Sequence, residues 1–234
     1  MYNVKAKHIP TLPEIVTLQD VKPGLKSIND IPIGLKNEDL SILGYDFMAE
    51  LITPIIARNI ESNFAFIENV IEEFYKFKGL KVIIYDAEKK LNTERSIVRD
   101  WNSFIESVNL ATSDKKVSRV IIVIINPDRI LNGLSDNDQF NLFINQVIKY
   151  KKGRVLLCES VNKLKNRIYE DWFKSNVNQE KGIWLGNGLV DQFILTIDGK
   201  NSIELNRCGM SFGFAIKNGI PIKAKLLGLD ENIE

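Results

Sequence analysis

From residue 51 onward the chain alternates short, unbroken apolar runs with longer segments in which apolar residues return every three or four positions. LITPIIA (51–57) reads as a buried strand. After a polar turn, Phe64, Ile67, Ile71, Phe74 and Phe77 keep helical spacing, with Ser62 or Asn63 as N-cap and Gly79 as the stop. KVIIYD (81–86) is the next strand, and Ile97, Val98, Trp101, Phe104, Ile105 and Val108 then line one face of a predicted helix. RVIIVII (119–125) is the most apolar strand, bounded by Asn126 and Pro127. Ser135 with Asp138 reads as a capping box for a helix carrying Phe140, Phe143, Ile144, Val147 and Ile148, ended by Gly153. RVLLC (154–158) is a strand, and Ser160 caps a helix with Leu164, Ile168 and Trp172.

Strands apolar on both faces, each followed by a helix, call for a parallel sheet covered on both sides, because a half-exposed sheet would alternate. The pattern therefore predicts a doubly wound α/β domain. After Gly182 it turns to β: GIWLG, QFILTID, then SFGFAIK and IPIKAKLL joined by Asn218-Gly219, a pair suited to the positive φ angles of a hairpin turn. Residues 1–50, punctuated by Pro10, Pro13, Pro23 and Pro32, read as a strap or edge strands packed on a compact domain at 51–234. Pro54 conflicts with a central strand, since it deletes a ladder donor. Either the strand is bulged there, or it is short and the turn starts earlier.

With 234 residues, 44% of them hydrophobic and 26% charged, the chain is long enough for one main core. The formal charge of +1 gives no global field for nucleic acid or an anionic membrane, so any such contact has to be local. Cys158 and Cys208 lack metal-ligand spacing and read as reduced thiols. His8 is the single histidine, which argues against a Ser-His-Asp triad, a Cys-His pair or a zinc site. No apolar run approaches the ~18 residues of a membrane span, so no direct membrane insertion is expected.

In open parallel sheets ligands bind at the carboxyl ends of strands, which directs attention to the turn after 51–57. Its length fits a P-loop, G-x-x-x-x-G-K-S/T, but not its chemistry. Arg58 and Asn63 stand at the glycine places, Phe64 at the lysine place and Ala65 at the magnesium-hydroxyl place, with Asn59, Glu61 and Ser62 between. The strand at 119–125 ends in Asn126-Pro127 rather than a pair of acids, with Asp128 just beyond. Losing the phosphate cation, the magnesium hydroxyl and the magnesium acid removes most of the electrostatic stabilisation on which phosphoryl transfer depends. No ordinary ATP hydrolysis is expected, and no cofactor, with ATP and magnesium binding weak or absent.

The sequence LPEIVTL, IPIGL, the altered P-loop turn, KVIIYDAEKK, RVIIVIINPDRIL, GIWLG and GFAIKNGIPIKAKLL resembles the last ATPase-like domain of FtsK/SpoIIIE-type coupling proteins of type VII secretion, most nearly the EssC/YukB group. The resemblance spans nearly the whole chain, and its best-matching part is the closing hairpin. It implies a P-loop NTPase-like, RecA/FtsK-type fold. It also implies the cytoplasmic part of a membrane-anchored bacterial protein whose other domains are the ATPases. The implied partners are secreted helical-hairpin (WXG-type) substrates and neighbouring ATPase domains of the same polypeptide.

The individual residues admit plainer roles. Arg58 reads as a solvated residue after a strand, and Glu61 and Ser62 as helix caps. Asp86 serves equally well as a strand-end turn acid or as a ligand contact. Lys149, Lys151, Lys152 and Arg154 suit a helix C-terminus. Gly186-Asn187-Gly188 is a turn, and Trp101 and Trp172 are core. The competing function is an unconventional nucleotide-binding regulatory domain, or a residual ATPase, using Arg58, Asp86 or Asp128. A DNA-translocation module is a third class, opposed by the near-neutral charge.

Overall fold

The computed structural model describes residues 11–93, 95–133, 137–199, 205 and 208–230. The Ser135–Asp138 capping box lies outside the residues whose side chains are described. Ten strands form one sheet among the described residues: β1 (Ile31–Lys36), β2 (Ile42–Tyr45), β3 (Ile52–Ala57), β4 (Leu80–Tyr85), β5 (Ile97–Val98), β6 (Arg119–Ile125), β7 (Gly153–Ser160), β8 (Gly182–Leu185), β9 (Phe212–Lys217) and β10 (Ile220–Leu226). Among the described residues the helices that accompany them include α1 (Leu18–Val21), α2 (Phe64–Phe74), α3 (Trp101–Ser113), α4 (Pro127–Gly133), α5 (Asn137–Tyr150), α6 (Val161–Leu164) and α7 (Asp171–Asn176).

The sheet order is β2-β1-β10-β9-β8-β3-β7-β6-β4-β5. The run from β8 to β5 is parallel, while β9, β10, β1 and β2 continue it antiparallel. Within the parallel part, β3 lies beside β7, and β7 separates it from β6. Both faces are buried, as the unbroken apolar strands require. Ile55, Val82, Ile84, Ile121, Val123 and Leu156 pack with Phe66, Ile67, Val70 and Phe74 of α2. The alternate residues Ile56, Ile83, Ile122, Ile124, Val155 and Leu157 pack with α3, α5 and α7. There Trp101, Phe104, Phe140, Phe143 and Trp172 form a chain of ring contacts 4.8–6.1 Å apart. Trp101 and Trp172 are thus core, as the helical spacing indicates.

The hairpin is as expected: Asn218 and Gly219 take φ of 52° and 78°, and Lys217 pairs with Ile220. It also joins two regions of sequence. β9 pairs with β8 of the parallel core, and β10 pairs with β1, so residues 31–45 extend the same sheet. Gly34 permits this, because a Cβ there would lie 2.2 Å from the Lys225 carbonyl oxygen. Pro54 sits in an unbroken strand. β3 pairs with β7 along its whole length, but its ladder to β8 begins at Ile55, beyond the proline.

Several expectations are corrected. Ile97 and Val98 form an edge strand rather than the start of a helix. The helix begins at Trp101, where the Asp100 carboxylate accepts the Ser103 amide at 2.9 Å. QFILTID is not a strand: the Gln192 side chain accepts the Ile194 and Leu195 amides at 2.7 Å and donates to the Leu195 carbonyl at 2.8 Å, folding the segment on itself. Its apolar residues Ile194, Leu195 and Ile197 are buried without a ladder. The helix predicted after Ser160 is two short helices separated by a 3-10 turn at Arg167–Tyr169. Lys151, at φ 57°, follows α5, whereas Gly153 opens β7 against Val147. Ile148, assigned to the buried stripe, is 41% exposed.

Candidate functional site

The helix following β3 lies on one face of the sheet, and the helices following β4, β6 and β7 lie on the other. The chain therefore reverses direction across the sheet at β3 and β7, and the crevice beyond their carboxyl ends is where a doubly wound sheet offers a ligand site. Ala57, the last residue of β3, is in register with Ser160, the last of β7.

The turn at 58–65 is tied down at this crevice by its own contacts. The Ile60 amide donates to the Ser160 hydroxyl at 3.1 Å, and the Glu61 amide donates to the Asn59 side-chain oxygen at 3.1 Å. The Asn63 amide donates to the Ile60 carbonyl at 2.9 Å, closing a 3-10 turn at Glu61–Asn63 that leads into α2. A phosphate-binding loop presents its amides outward; these three are taken by the chain itself. Ile60, Asn63 and Phe64 are buried, and Ala65 is half-buried, its carbonyl accepting from the Asn69 side chain at 2.8 Å.

The capping assignments do not hold. Asn63 occupies the N-cap position, but its side-chain amide donates to the Asn59 carbonyl at 2.8 Å instead of receiving a helix amide. The Ser62 hydroxyl accepts from Asn59, and the Glu61 carboxylate reaches Lys90 at 3.0 Å. Ser160 precedes α6 without capping it, because its hydroxyl is directed to Ile60.

The other sequence candidates diverge. Arg58 pairs with Asp191, with more than half of each side chain exposed, an arrangement worth about 0–1 kcal/mol. Gly188, at φ 85°, makes room for the pair, since a Cβ there would lie 2.1 Å from Arg58 Nε. Gly186-Asn187-Gly188 is the turn expected, and the Asn187 carbonyl accepts from the buried Trp184 indole at 3.0 Å. The buried Asp86 carboxylate accepts the Lys90 and Leu91 amides at 3.1 and 2.9 Å, which makes it the organiser of the loop after β4. That loop lies against the β3 turn through the Lys90–Glu61 pair. Its Glu88 accepts from the Asn126 side chain at 3.2 Å. Pro127 opens α4, where its missing N–H is no loss, and Asp128 is drawn to Arg167 at 2.9 Å. Arg58, Asp86 and Asp128 therefore face three different partners rather than one ligand.

Sequence reasoning missed Glu159. Its side chain is fully buried, and its carboxylate accepts the Ser160 amide at 2.7 Å and the Asp128 amide at 3.2 Å. Burial pushes its pKa above the ordinary glutamate range. The two amide bonds and Lys163 oppose that rise, and Asp128 adds to it. The available signal was an acid directly after the apolar run VLLC (155–158). The side-chain oxygens of Asn63 and Asn126 are also buried without a hydrogen-bond partner among the described residues. Two clefts open at this edge. One of about 380 Å³ lies beside Arg58, Trp184 and Phe193, and the other, of about 350 Å³, beside Asp128, Asn162 and Arg167.

No protein-family model and no curated protein sequence matches the chain. Solved structures do. The cytoplasmic domain of the Thermomonospora curvata type VII secretion ATPase EccC superposes over 97% of the chain with a TM-score of 0.70 at 13% identity, and the cytoplasmic domain of EssC over 97% with 0.71 at 13%. The T. curvata EccC ATPases 2 and 3 in complex with a signal sequence peptide match over 94% with a TM-score of 0.63 at 12% identity. The fold is that of the EccC and EssC ATPase domains. The chain spans 29%, 49% and 44% of these three structures' own lengths. The resemblance drawn from the residue pattern is thus matched at the level of fold. Among the described residues no helix is long and apolar enough to cross a membrane.

Proposed function

We propose that this chain is a non-hydrolysing ATPase-like domain of a type VII secretion motor protein, serving substrate recognition or inter-domain contact during protein export. The observation that carries the proposal is the turn at 58–65, whose amides are already taken. Ser160 and Asn59 take backbone amides that a phosphate would need, and Phe64 is buried where a P-loop places its lysine. What remains is a rigid α/β scaffold of the motor type, with Asp128 engaged by Arg167 and Asn126 by Glu88. Its partners in this reading are secreted helical-hairpin substrates of the WXG type and neighbouring ATPase domains, within the cytoplasmic part of a membrane-anchored protein. The peptide-bound EccC structure supports the assignment of recognition to this kind of domain.

Titration calorimetry of the chain against the secreted helical hairpins tests it. Saturable binding of at least one hairpin, unchanged by MgATP, is the expected result. No heat from any hairpin would overturn the recognition role. A second reading, regulatory nucleotide binding, draws on the unpartnered oxygens of Asn63 and Asn126, which suit a water or a cation. Under that reading MgATP at a hundred times its Kd would stabilise the fold by about 2.7 kcal/mol in a thermal-shift titration. An unmoved transition would remove it.

A further inference from the structure

The opposite rim of the sheet, at the amino ends of β4, β6 and β7, has a character that the function above does not use. Segments 78–81, 114–119 and 149–154 carry nine lysines and arginines and one acid, Asp114, in a chain whose formal charge is only +1. The sheet brings them together. Leu80 pairs with Arg119 and Val120 with Gly153, while the Gly79 carbonyl accepts the Ser118 amide at 2.8 Å. Adjacent strands lie roughly 4.8 Å apart, so these segments form one continuous basic edge. Arg154 is turned inward to the Met48 carbonyl at 2.8 Å, and Lys152 to the Asp114 carbonyl at 2.8 Å. Lys78, Lys81, Lys115, Lys116, Arg119 and Lys149 are exposed, and among the described residues none of them has an ion pair.

Helix C-termini account for part of this excess, since α3 and α5 both end here. They do not account for Lys81, near the start of β4, nor for what adjoins it. Between the outer side of β4 and α3 runs a groove of about 530 Å³, lined by Lys81, Val82, Ile97, Val98, Leu110 and Asp114 among others. Leu110 is 65% exposed at its wall. The groove has a mixed lining: Ile97, Val98, Leu110 and Ala111 are apolar, Lys81 stands in its wall, and exposed Lys115 and Lys116 occupy the turn between Asp114 and Val117, where the Asp114 carboxylate accepts the Lys116 amide at 2.8 Å. Such a channel is complementary to a chain segment with an apolar anchor and acidic flanks. A duplex backbone or a flat anionic bilayer would use the cations and leave the groove empty.

We infer that this groove and its basic border form a docking site for an acidic peptide segment that inserts an apolar side chain beside Leu110 and sets its carboxylates on Lys81, Lys115 and Lys116. The inference rests on the reading of this domain as a protein-recognition module, and it names the surface and the partner chemistry. It is tested on the whole chain by fluorescence anisotropy with a labelled synthetic peptide in which a leucine-phenylalanine anchor is flanked by glutamates. The expected result is saturable binding that weakens as salt rises. The Lys81→Glu/Lys116→Glu variant and, separately, Leu110→Asp should each weaken it about tenfold or more, with thermal transitions kept. A peptide with glutamines for glutamates should lose most of the affinity. No peptide binding, or binding indifferent to both variants, would overturn the site. So would duplex DNA or phosphatidylserine vesicles binding more tightly than the peptide and being lost in Lys81→Glu/Lys116→Glu. Secreted hairpins that bind the parent and both variants equally would remove this site while leaving the recognition role intact. Absence of binding by hairpins and peptide alike would remove both.

Discussion

The two rims of the parallel sheet treat their polar groups in opposite ways. At the carboxyl rim the turn after β3, the loop after β4 and the end of β7 direct amides, hydroxyls and carboxylates at one another. Ile60 meets Ser160, Glu61 meets Lys90 and Asp128 meets Arg167. At the amino rim seven cations stand in solvent, and one of them, Lys81, lines a groove. Groups satisfied within the fold contribute to stability and are poorly placed to bind anything else, while unsatisfied surface charge contributes little to stability and is available to a partner. In the reading proposed above, the carboxyl rim is spent on the fold itself and the amino rim is left for a partner.

Substitutions can break that contrast, and the largest effect belongs to Phe64. It is 8% exposed at the start of α2, and Phe64→Ala should cost about 3 kcal/mol in urea unfolding through lost packing. A loss below about 1 kcal/mol would mean that Phe64 is not packed in the way described. Ser160→Ala removes the acceptor of the Ile60 amide, which belongs to a fully buried residue, and should cost about 1–3 kcal/mol. An unchanged transition midpoint would show that the amide has another partner.

Glu159→Gln sharpens the same point through pH. The folded-state pKa of Glu159 is raised, chiefly by burial, so the native state holds its proton more tightly than the unfolded chain does. The parent protein accordingly loses stability as pH climbs from the ordinary glutamate range toward the raised value, and is level above it. The variant lacks this loss and should gain on the parent over that window, by an amount smaller than the two effects above. Denaturant curves at stepped pH measure it, and parallel pH profiles would contradict the assignment.

Much of the fold was legible because burial on both faces leaves strands such as RVIIVII with no polar alternation, and because Asn218-Gly219 admits few conformations other than a hairpin turn. QFILTID was misread because an apolar run reports burial, not pairing, and Gln192 decides the matter through side-chain bonds that composition does not reveal. Ile97 and Val98 satisfied a helical stripe by spacing alone, although Asp100 supplied a cap signal three residues later. At the site, the missing lysine and hydroxyl were visible at Phe64 and Ala65. Which groups take their place was not, since Ser160 and Glu159 lie about a hundred residues away and meet the turn only through the pairing of β3 with β7. The amino-rim charge was likewise scattered over three segments, of which only residues 149–154 read as a cluster.

Phosphate release from MgATP, followed on the purified chain alone beside a Ser160→Ala variant, bears most directly on the central claim that the amides of the turn are taken by the chain's own groups. The account predicts no turnover above background from either protein. Steady nucleotide hydrolysis by the parent, lost when the turn at residues 58–65 is altered, would contradict it.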